Sequence, residues 1–313
     1  MSGELSLSAV VPATNEPPTL SRCLEAIRGG ARAPDELLAV TDPPGAGPAA
    51  ARNQGAGRAS GEVVVFVDAD VAVHRDALAR IESAFAADPE LTALFGSYDD
   101  APEAPGAVSG FRNLLHHHVH QSAAGPALTF WAGLGAVRRE AFLAAGGFDA
   151  SRYPLPSIED IELGARLSAD GARIMLDPEL RGTHLKRWTV SEVVRTDFSR
   201  RGVPWAELVV RSEASPSVLN LGWSHRASAA LSLFGAVAIV RRRPSRLAAA
   251  LIGLVLLNRR FYALLVRRRG VREAAAGVGL HALHHLTSTA ALIAGAIRAG
   301  AARGPDQKSH QRS

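Results

Sequence analysis

The sequence predicts an α/β fold, a mostly parallel sheet with helices on both faces, followed by a C-terminal α-helical membrane region. Three observations carry this. The N-terminal part alternates strand-like and helix-like apolar patterns. The run "VVVFVDAD", Val63 to Asp70, drives an apolar strand into two carboxylates. From about Gly222 the texture changes to apolar runs separated by arginine clusters.

At 313 residues, 47% of them hydrophobic, the chain is long enough for about two domains and a substantial core. The charge is asymmetric. Residues 1–205 carry 19 Lys and Arg against 26 Asp and Glu, a net of −7, whereas 206–313 carry 16 against 4, a net of +12. A uniformly basic nucleic-acid binder would not look like this; positive charge interleaved with apolar runs is a membrane pattern. The single cysteine, Cys23, excludes an intramolecular disulfide framework or a multi-cysteine zinc site and fits a reducing compartment. The opening "MSGELSLSAVVP" lacks a basic segment followed by a long apolar run, so no secretory signal is expected and the N-terminal part is expected to face the cytoplasm.

In order, "LSLSAVVP" (Leu5–Pro12) reads as a strand ended by a turn around Asn15. "TLSRCLEAIRGG" spaces Leu20, Cys23, Leu24 and Ile27 as a helix stopped by Gly29-Gly30. "ELLAVTD" is a second strand, "DPPGAGP" a loop, "AAARNQGAGRASG" a helix, Val63–Val67 the third strand, and "RDALARIESAFAA" a helix with Leu78, Ile81 and Phe85 on one stripe. "TFWAGLGAVRREAFLAAGGFD" combines a strand-like Trp131–Val137, the close-approach glycines Gly133 and Gly135, and a short helix ending at Gly146-Gly147. "SIEDIELGARL" reads as a helix with Ser157 as N-cap and Asp160 at its third position. The domains are then 1–221, a helical region over 222–300, and a polar, disordered tail over 301–313. The apolar runs Ala227–Val240 and Leu247–Leu257 fall short of the ~20 residues of a straight span. They read as short spans extended by snorkelling arginines or as a hairpin dipping into one leaflet. Arginines at 241–243, 259–260 and 267–269 are expected on the cytoplasmic side. "LLHHHVHQ" and "HALHH" lack neighbouring thiols or acids and read as interfacial packing near lipid headgroups rather than metal sites.

Ligands of open α/β sheets sit beyond the carboxyl ends of the strands, where Asp68 and Asp70 lie. In an extended segment these i and i+2 side chains point the same way and repel unless a cation or donors lie between them. Mg²⁺ or Mn²⁺, which bridges carboxylates to substrate phosphates, would satisfy them; a solvated acidic turn is the alternative. Two further strand ends close on Asn15, Glu16 and Asp42, and "AAARNQG" supplies Arg52 and Asn53. No G-x-G-x-x-G follows the first strand, where "PATNEPPTL" stands, so a dinucleotide-binding dehydrogenase is excluded.

With "VVPATNEP", "AVTDPPG", "AAARNQG" and "VVVFVDAD" in that order, the chain resembles the family 2 glycosyltransferases of GT-A fold, in their membrane-associated bacterial form. The resemblance implies that Pro12, Asn15, Glu16, Asp42, Arg52, Asn53 and Asp68 contact a nucleotide-sugar donor. It implies that Asp70, with Asp68 and His184, holds Mn²⁺ or Mg²⁺. Within Glu159-Asp160 it makes Asp160 the general base, as inverting transfer needs one carboxylate to deprotonate the acceptor. Trp131, Gly133, Lys186, Arg201 and Trp205 fall on the acceptor and diphosphate side. The processive members' Gln-X-X-Arg-Trp is absent from "DFSRRGVPW", which favours single-sugar transfer. The expected activity is transfer to a lipid-linked or glycolipid acceptor at the cytoplasmic face of the cell membrane, with no nucleic-acid partner. A polysaccharide synthase subunit and a non-catalytic membrane-bound protein of the same fold are the alternatives.

Overall fold

The computed structural model describes residues 5–211 and 222–302. The expected domain boundary at 221 and most of the expected tail lie outside these residues. In chain order the elements are β1 (Leu7–Pro12), α1 (Leu20–Arg28), β2 (Glu36–Val40), α2 (Pro48–Arg58), β3 (Val63–Val67), β4 (Val71–Val73), α3 (Ala77–Ala87) and β5 (Leu91–Tyr98). Then come α4 (Ala107–Ser122), β6 (Gly125–Ala127), β7 (Leu134–Arg138), α5 (Arg139–Ala144), α6 (Glu159–Ala169), β8 (Arg173–His184) and α7 (Val190–Arg195). A π-helical turn, Thr196–Gly202, leads into α8 (Val203–Val210), and α9 (Trp223–Val240), α10 (Pro244–Leu257) and α11 (Arg259–Ala302) complete the chain.

The sheet runs β2-β1-β3-β7-β5-β8-β4, with β6 added on β8. It is mixed, which corrects the expectation of a mostly parallel sheet. β1 is parallel to β2 and β3, but β7 is antiparallel to both β3 and β5, and β4 and β6 are antiparallel to β8. Helices separate the partners of every antiparallel pair here, so a helix between two strands does not by itself make them parallel. Each residue of β3 is fully buried, as its unbroken apolar run requires of a strand covered on both faces. One core layer places Val63, Val65 and Val67 against Leu78, Ile81 and Phe85 of α3. The other packs Phe66 among Phe130, Phe142 and Phe148 at ring separations of 5.2–6.5 Å. Because β1, β2 and β3 are adjacent and parallel, their carboxyl ends open side by side.

His116, His117 and His120 of α4 face the sheet and His118 packs against Phe261 of α11, so the group is not at lipid headgroups. Backbone carbonyls of Tyr98 and Gly96 accept from the Nδ1 atoms of His117 and His120, both at 2.8 Å, which fixes the Nδ1–H tautomer of each. His281, His284 and His285 likewise correct the headgroup expectation. His281 Nδ1 lies 3.0 Å from Tyr262 Oη, His285 is 2% exposed, and His284 donates to Asp197 at 2.7 Å. Asp197 also binds Arg112 of α4 at 2.8 Å, so one buried carboxylate ties the π-turn, α4 and α11 together. The apolar run Ala274–Ile297 of α11 is therefore packed against the rest of the chain. Gly295 abuts Val203 and Ala206, and Gly277 abuts Leu265. Arg268 and Arg269 face the first domain through Asp100 and the Gly106 carbonyl.

Among the described residues no single helix is long and apolar enough to cross a membrane; α10 and α11 pass only as a pair bent by 84°.

Candidate active site

The strand β3 ends in Asp68-Ala69-Asp70, but these residues are not extended. Val71 N–H donates to the Asp68 carbonyl at 2.9 Å, closing a tight turn, while Asp68 N–H reaches the Gly133 carbonyl at 3.0 Å. The turn corrects the expectation that both carboxylates point the same way. Asp68 turns to Arg52 Nη2 at 2.5 Å, and Asp70 turns to His184, with 3.6 Å between Oδ2 and Nε2. Pairing of β4 with β8 sets Val71 opposite His184, which is how residues 114 positions apart come to share a site.

Arg52, 4% exposed on α2, donates through Nη1 to Glu159 at 2.9 Å and through Nη2 to Asp68. The second Glu159 oxygen accepts from Ser157 N–H at 2.8 Å. Both oxygens of Glu159 are thus committed, and Ser157 is not the N-cap. Helix α6 begins at Glu159, which puts Asp160 at its second position, and the Ser157 hydroxyl donates to the Arg200 carbonyl at 2.6 Å.

Asp160 is held differently. Its Oδ2 accepts from Ala132 N–H at 3.1 Å and its Oδ1 from Ile161 N–H at 2.9 Å. Burial, and then the neighbouring Glu159, push its carboxyl up to about 6, the range suited to a base that works near neutrality. For Asp70, burial acts upward, but the adjacent His184 and the charge of Lys186 prevail and hold it below the ordinary value.

An aromatic wall adjoins this carboxylate group. Tyr98, at the end of β5, stacks on His184 with centroids 4.2 Å apart and on its other side meets His116 at 4.3 Å. Trp131 closes edge-on against Tyr98 at 4.9 Å and lies 4.6 Å from His116. A Cβ on Gly133 would come within 2.4 Å of the Trp131 ring, so the indole's position depends on that glycine. Sequence reasoning missed Tyr98, which only the end of β5 beside β8 places here; His116 belongs to the α4 histidine group that the sequence singles out as interfacial packing.

The other expected residues divide. Asn15, Glu16 and Asp42 are exposed around Pro12 at the ends of β1 and β2. Their loops are stitched together: Gly45 N–H donates to the Thr14 carbonyl at 3.0 Å, and the Thr14 hydroxyl to the Ala46 carbonyl. Glu16 takes a positive φ of 45°, an uncommon conformation outside glycine. Asn53 spends its amide on the Phe148 backbone, donating at 2.7 Å and accepting at 2.9 Å, and so clamps α2 to the Gly146-Gly147 turn. Lys186 lies over the Trp188 ring at 4.1 Å, and Arg201 is exposed on the π-turn. Trp205 packs with Tyr153, Ile158 and Leu208 rather than with the aromatic wall.

No three His, Cys, Asp or Glu side chains among the described residues form a closed metal cage. Asp70 and His184 nonetheless fit a hard divalent cation. Such ions commonly take one or two protein ligands and fill the rest of the shell with water and substrate phosphate.

Residues 40–143, which contain Asp42, Arg52, Asp68, Asp70, Trp131 and Gly133, match the model of glycosyl transferase family 2. Those residues, about a third of the chain, are similar to the family 2 glycosyltransferases. The match stops short of Asp160 and His184. The mannosyltransferase PcManGT from Pyrobaculum calidifontis, solved with GDP-Man and Mn²⁺, is 20% identical. It aligns over 96% of this chain and 89% of its own, with a TM-score of 0.51. That likeness supports a GT-A-like fold for this chain. S. aureus TarS 1-349 is 15% identical over 91% of both chains, with a TM-score of 0.43. GalNAc-T7 with UDP, GalNAc and Mn²⁺ is 18% identical over 59% of this chain and 44% of its own, with a TM-score of 0.46. A search of curated proteins finds no sequence match.

Proposed function

We propose that this glycosyltransferase is metal-dependent and inverting, and moves a single sugar from a nucleotide-sugar to a lipid-linked or glycolipid acceptor at the cytoplasmic face of a membrane. The observation that carries the reading is the division of labour within Glu159-Asp160. Arg52 and Ser157 immobilise Glu159, while Asp160 keeps a carboxylate held only by backbone N–H groups. One such base suffices for a direct displacement in which the acceptor oxygen attacks the anomeric carbon opposite the departing diphosphate.

In this reading Asp42, Glu16 and Asn15 receive the nucleoside at the ends of β1 and β2. Asp70 and His184, with Asp68 beside them, hold the divalent cation, as the Mn²⁺ of PcManGT and GalNAc-T7 leads one to expect. When bound, that cation neutralises charge on the leaving diphosphate. Arg201, whose charge acts on Asp160 and Tyr98, stands on the leaving-group side. Asp160 takes the acceptor proton, and the half-buried Trp131, braced edge-on by Tyr98, offers an apolar surface to a sugar ring. The absent Gln-X-X-Arg-Trp supports single transfer, and the arginine-rich apolar helices support a membrane-borne acceptor.

Calorimetric titration of UDP-, GDP- and dTDP-sugars into the full chain, with and without Mn²⁺, tests the donor site. One donor is expected to bind only with metal, and Asp70→Ala to abolish that binding. Metal-independent binding would remove the role assigned to Asp70, and no binding under any metal would end the reading.

A further inference from the structure

Helices α9 and α10 form an antiparallel hairpin built inside out. Gly235 of α9 faces Ala250 of α10, and Leu231 faces Gly253, so the residue numbers of the two helices run in opposite directions across the contact. The inner face of α9 is small and polar: Ser228, Ser232, Gly235 and Ala238 are buried. Asn258 donates to the Ser228 hydroxyl at 2.9 Å and so closes the base of the hairpin. The outer face is large and apolar: Leu233, Phe234, Val237 and Val240 on α9, Ile252 and Leu256 on α10, are 45–80% exposed. Water-soluble helices place these classes the other way round. Small residues inside and bulky aliphatics outside characterise helices whose outer solvent is lipid.

Charge decides how the hairpin meets that lipid. Arg241, Arg242, Arg243 and Arg246 are all exposed at the tip, and Arg259 and Arg260 at the base. A hairpin dipping into one leaflet would drive the tip arginines to the bilayer centre, where charged side chains are costly. A crossing by either run alone fails on length. The apolar runs Ala227–Val240 and Leu247–Leu257 rise only about 21 Å and 17 Å at 1.5 Å per residue. The hydrocarbon core is ~30 Å thick. Lying flat satisfies both constraints, with the outer face in the acyl region and both arginine ends among the headgroups.

We infer that α9–α10 is a monotopic docking element that lies in the plane of an anionic bilayer and holds the catalytic half against it. The inference stands independently of the sugar-transfer reading, since neither donor nor acceptor enters it.

The test uses full-length protein in two arms. In the first, the protein is floated with vesicles of phosphatidylcholine alone or with phosphatidylglycerol. Co-flotation is expected to require the anionic lipid and to fall with added salt. The affinity for such vesicles should fall by about 10²–10³-fold when the four tip arginines become Gln, as the contributions of basic residues near an anionic surface add. Val237→Glu should also release the protein while its circular dichroism stays that of the parent. In the second arm, Ser245→Cys and Glu140→Cys are labelled with an impermeant maleimide in sealed membrane vesicles of both orientations; native Cys23 is buried. Labelling of both positions from the same side supports the flat arrangement. Labelling from opposite sides shows a crossing, and protection of Ser245→Cys until detergent is added shows a dip. A protein that does not float, or whose Val237→Cys variant forms a disulfide-linked dimer without lipid, buries that face elsewhere. Each of these last outcomes overturns the proposal.

Discussion

Arg52→Met removes the guanidinium that both Asp68 and Glu159 face, and leaves two carboxylates in a site built around a cation. Breaking a buried pair from one side costs about 3–5 kcal/mol, because the orphaned charge stays behind. The two partners differ. The Glu159 side chain is 5% exposed, whereas that of Asp68 is 30% exposed and is partly relieved by water. The lower end of the range, about 3 kcal/mol, is the expected loss. For a domain of this size it lowers Tm by about 6–12 °C. The deficit must depend on pH, with a definite sign. Burial already holds Asp68 above its ordinary value, and loss of Arg52 raises it further. A carboxyl raised on folding contributes stability below its unfolded value and loses it as pH rises through the folded one. The variant should therefore fall furthest behind the parent at pH 8 and recover ground towards pH 5. Thermal unfolding followed by circular dichroism at both pH values measures this, and Glu159→Gln added to Arg52→Met should restore part of the loss. A variant that melts within about 2 °C of the parent at pH 8, or whose deficit is flat with pH, would refute the claim that Arg52 neutralises two carboxylates.

Two further expectations concern catalysis and packing. With Asp160 at about 6, its ionised fraction rises about tenfold between pH 5 and pH 7, so nucleotide release should rise likewise and then level. Asp160→Asn should lower the rate by about 10²–10⁴ and flatten that limb; an acid limb centred near pH 4 would point to a different base. Gly133→Ala places a methyl 2.4 Å from the Trp131 ring and is expected to cost about 1–3 kcal/mol. An unchanged melting temperature in that variant would show that the indole is free to move.

Sequence alone determined what local pattern determines. Val63–Val67 is a strand because an unbroken apolar, β-branched run buried on both faces has no other regular use, and the apolar stripe of Leu78, Ile81 and Phe85 has the helical period. The same logic made the carboxylates after β3 stand out, and the order of the four motifs pointed to a nucleotide-sugar enzyme. Tertiary structure decided which groups meet. Nothing local distinguishes Glu159 from Asp160, yet Arg52, 107 residues earlier, engages the first and leaves the second to backbone N–H groups. His184 reaches Asp70 only because β8 returns antiparallel to β4, and Tyr98 reaches His184 only because β5 lies beside β8. Strand pairing and buried charge neutralisation act between residues far apart in sequence, and no window along the chain contains both partners. The C-terminal helices show the same boundary: their apolar character is written in the sequence, but that the bulky side chains face outward and the serines inward was settled by packing alone.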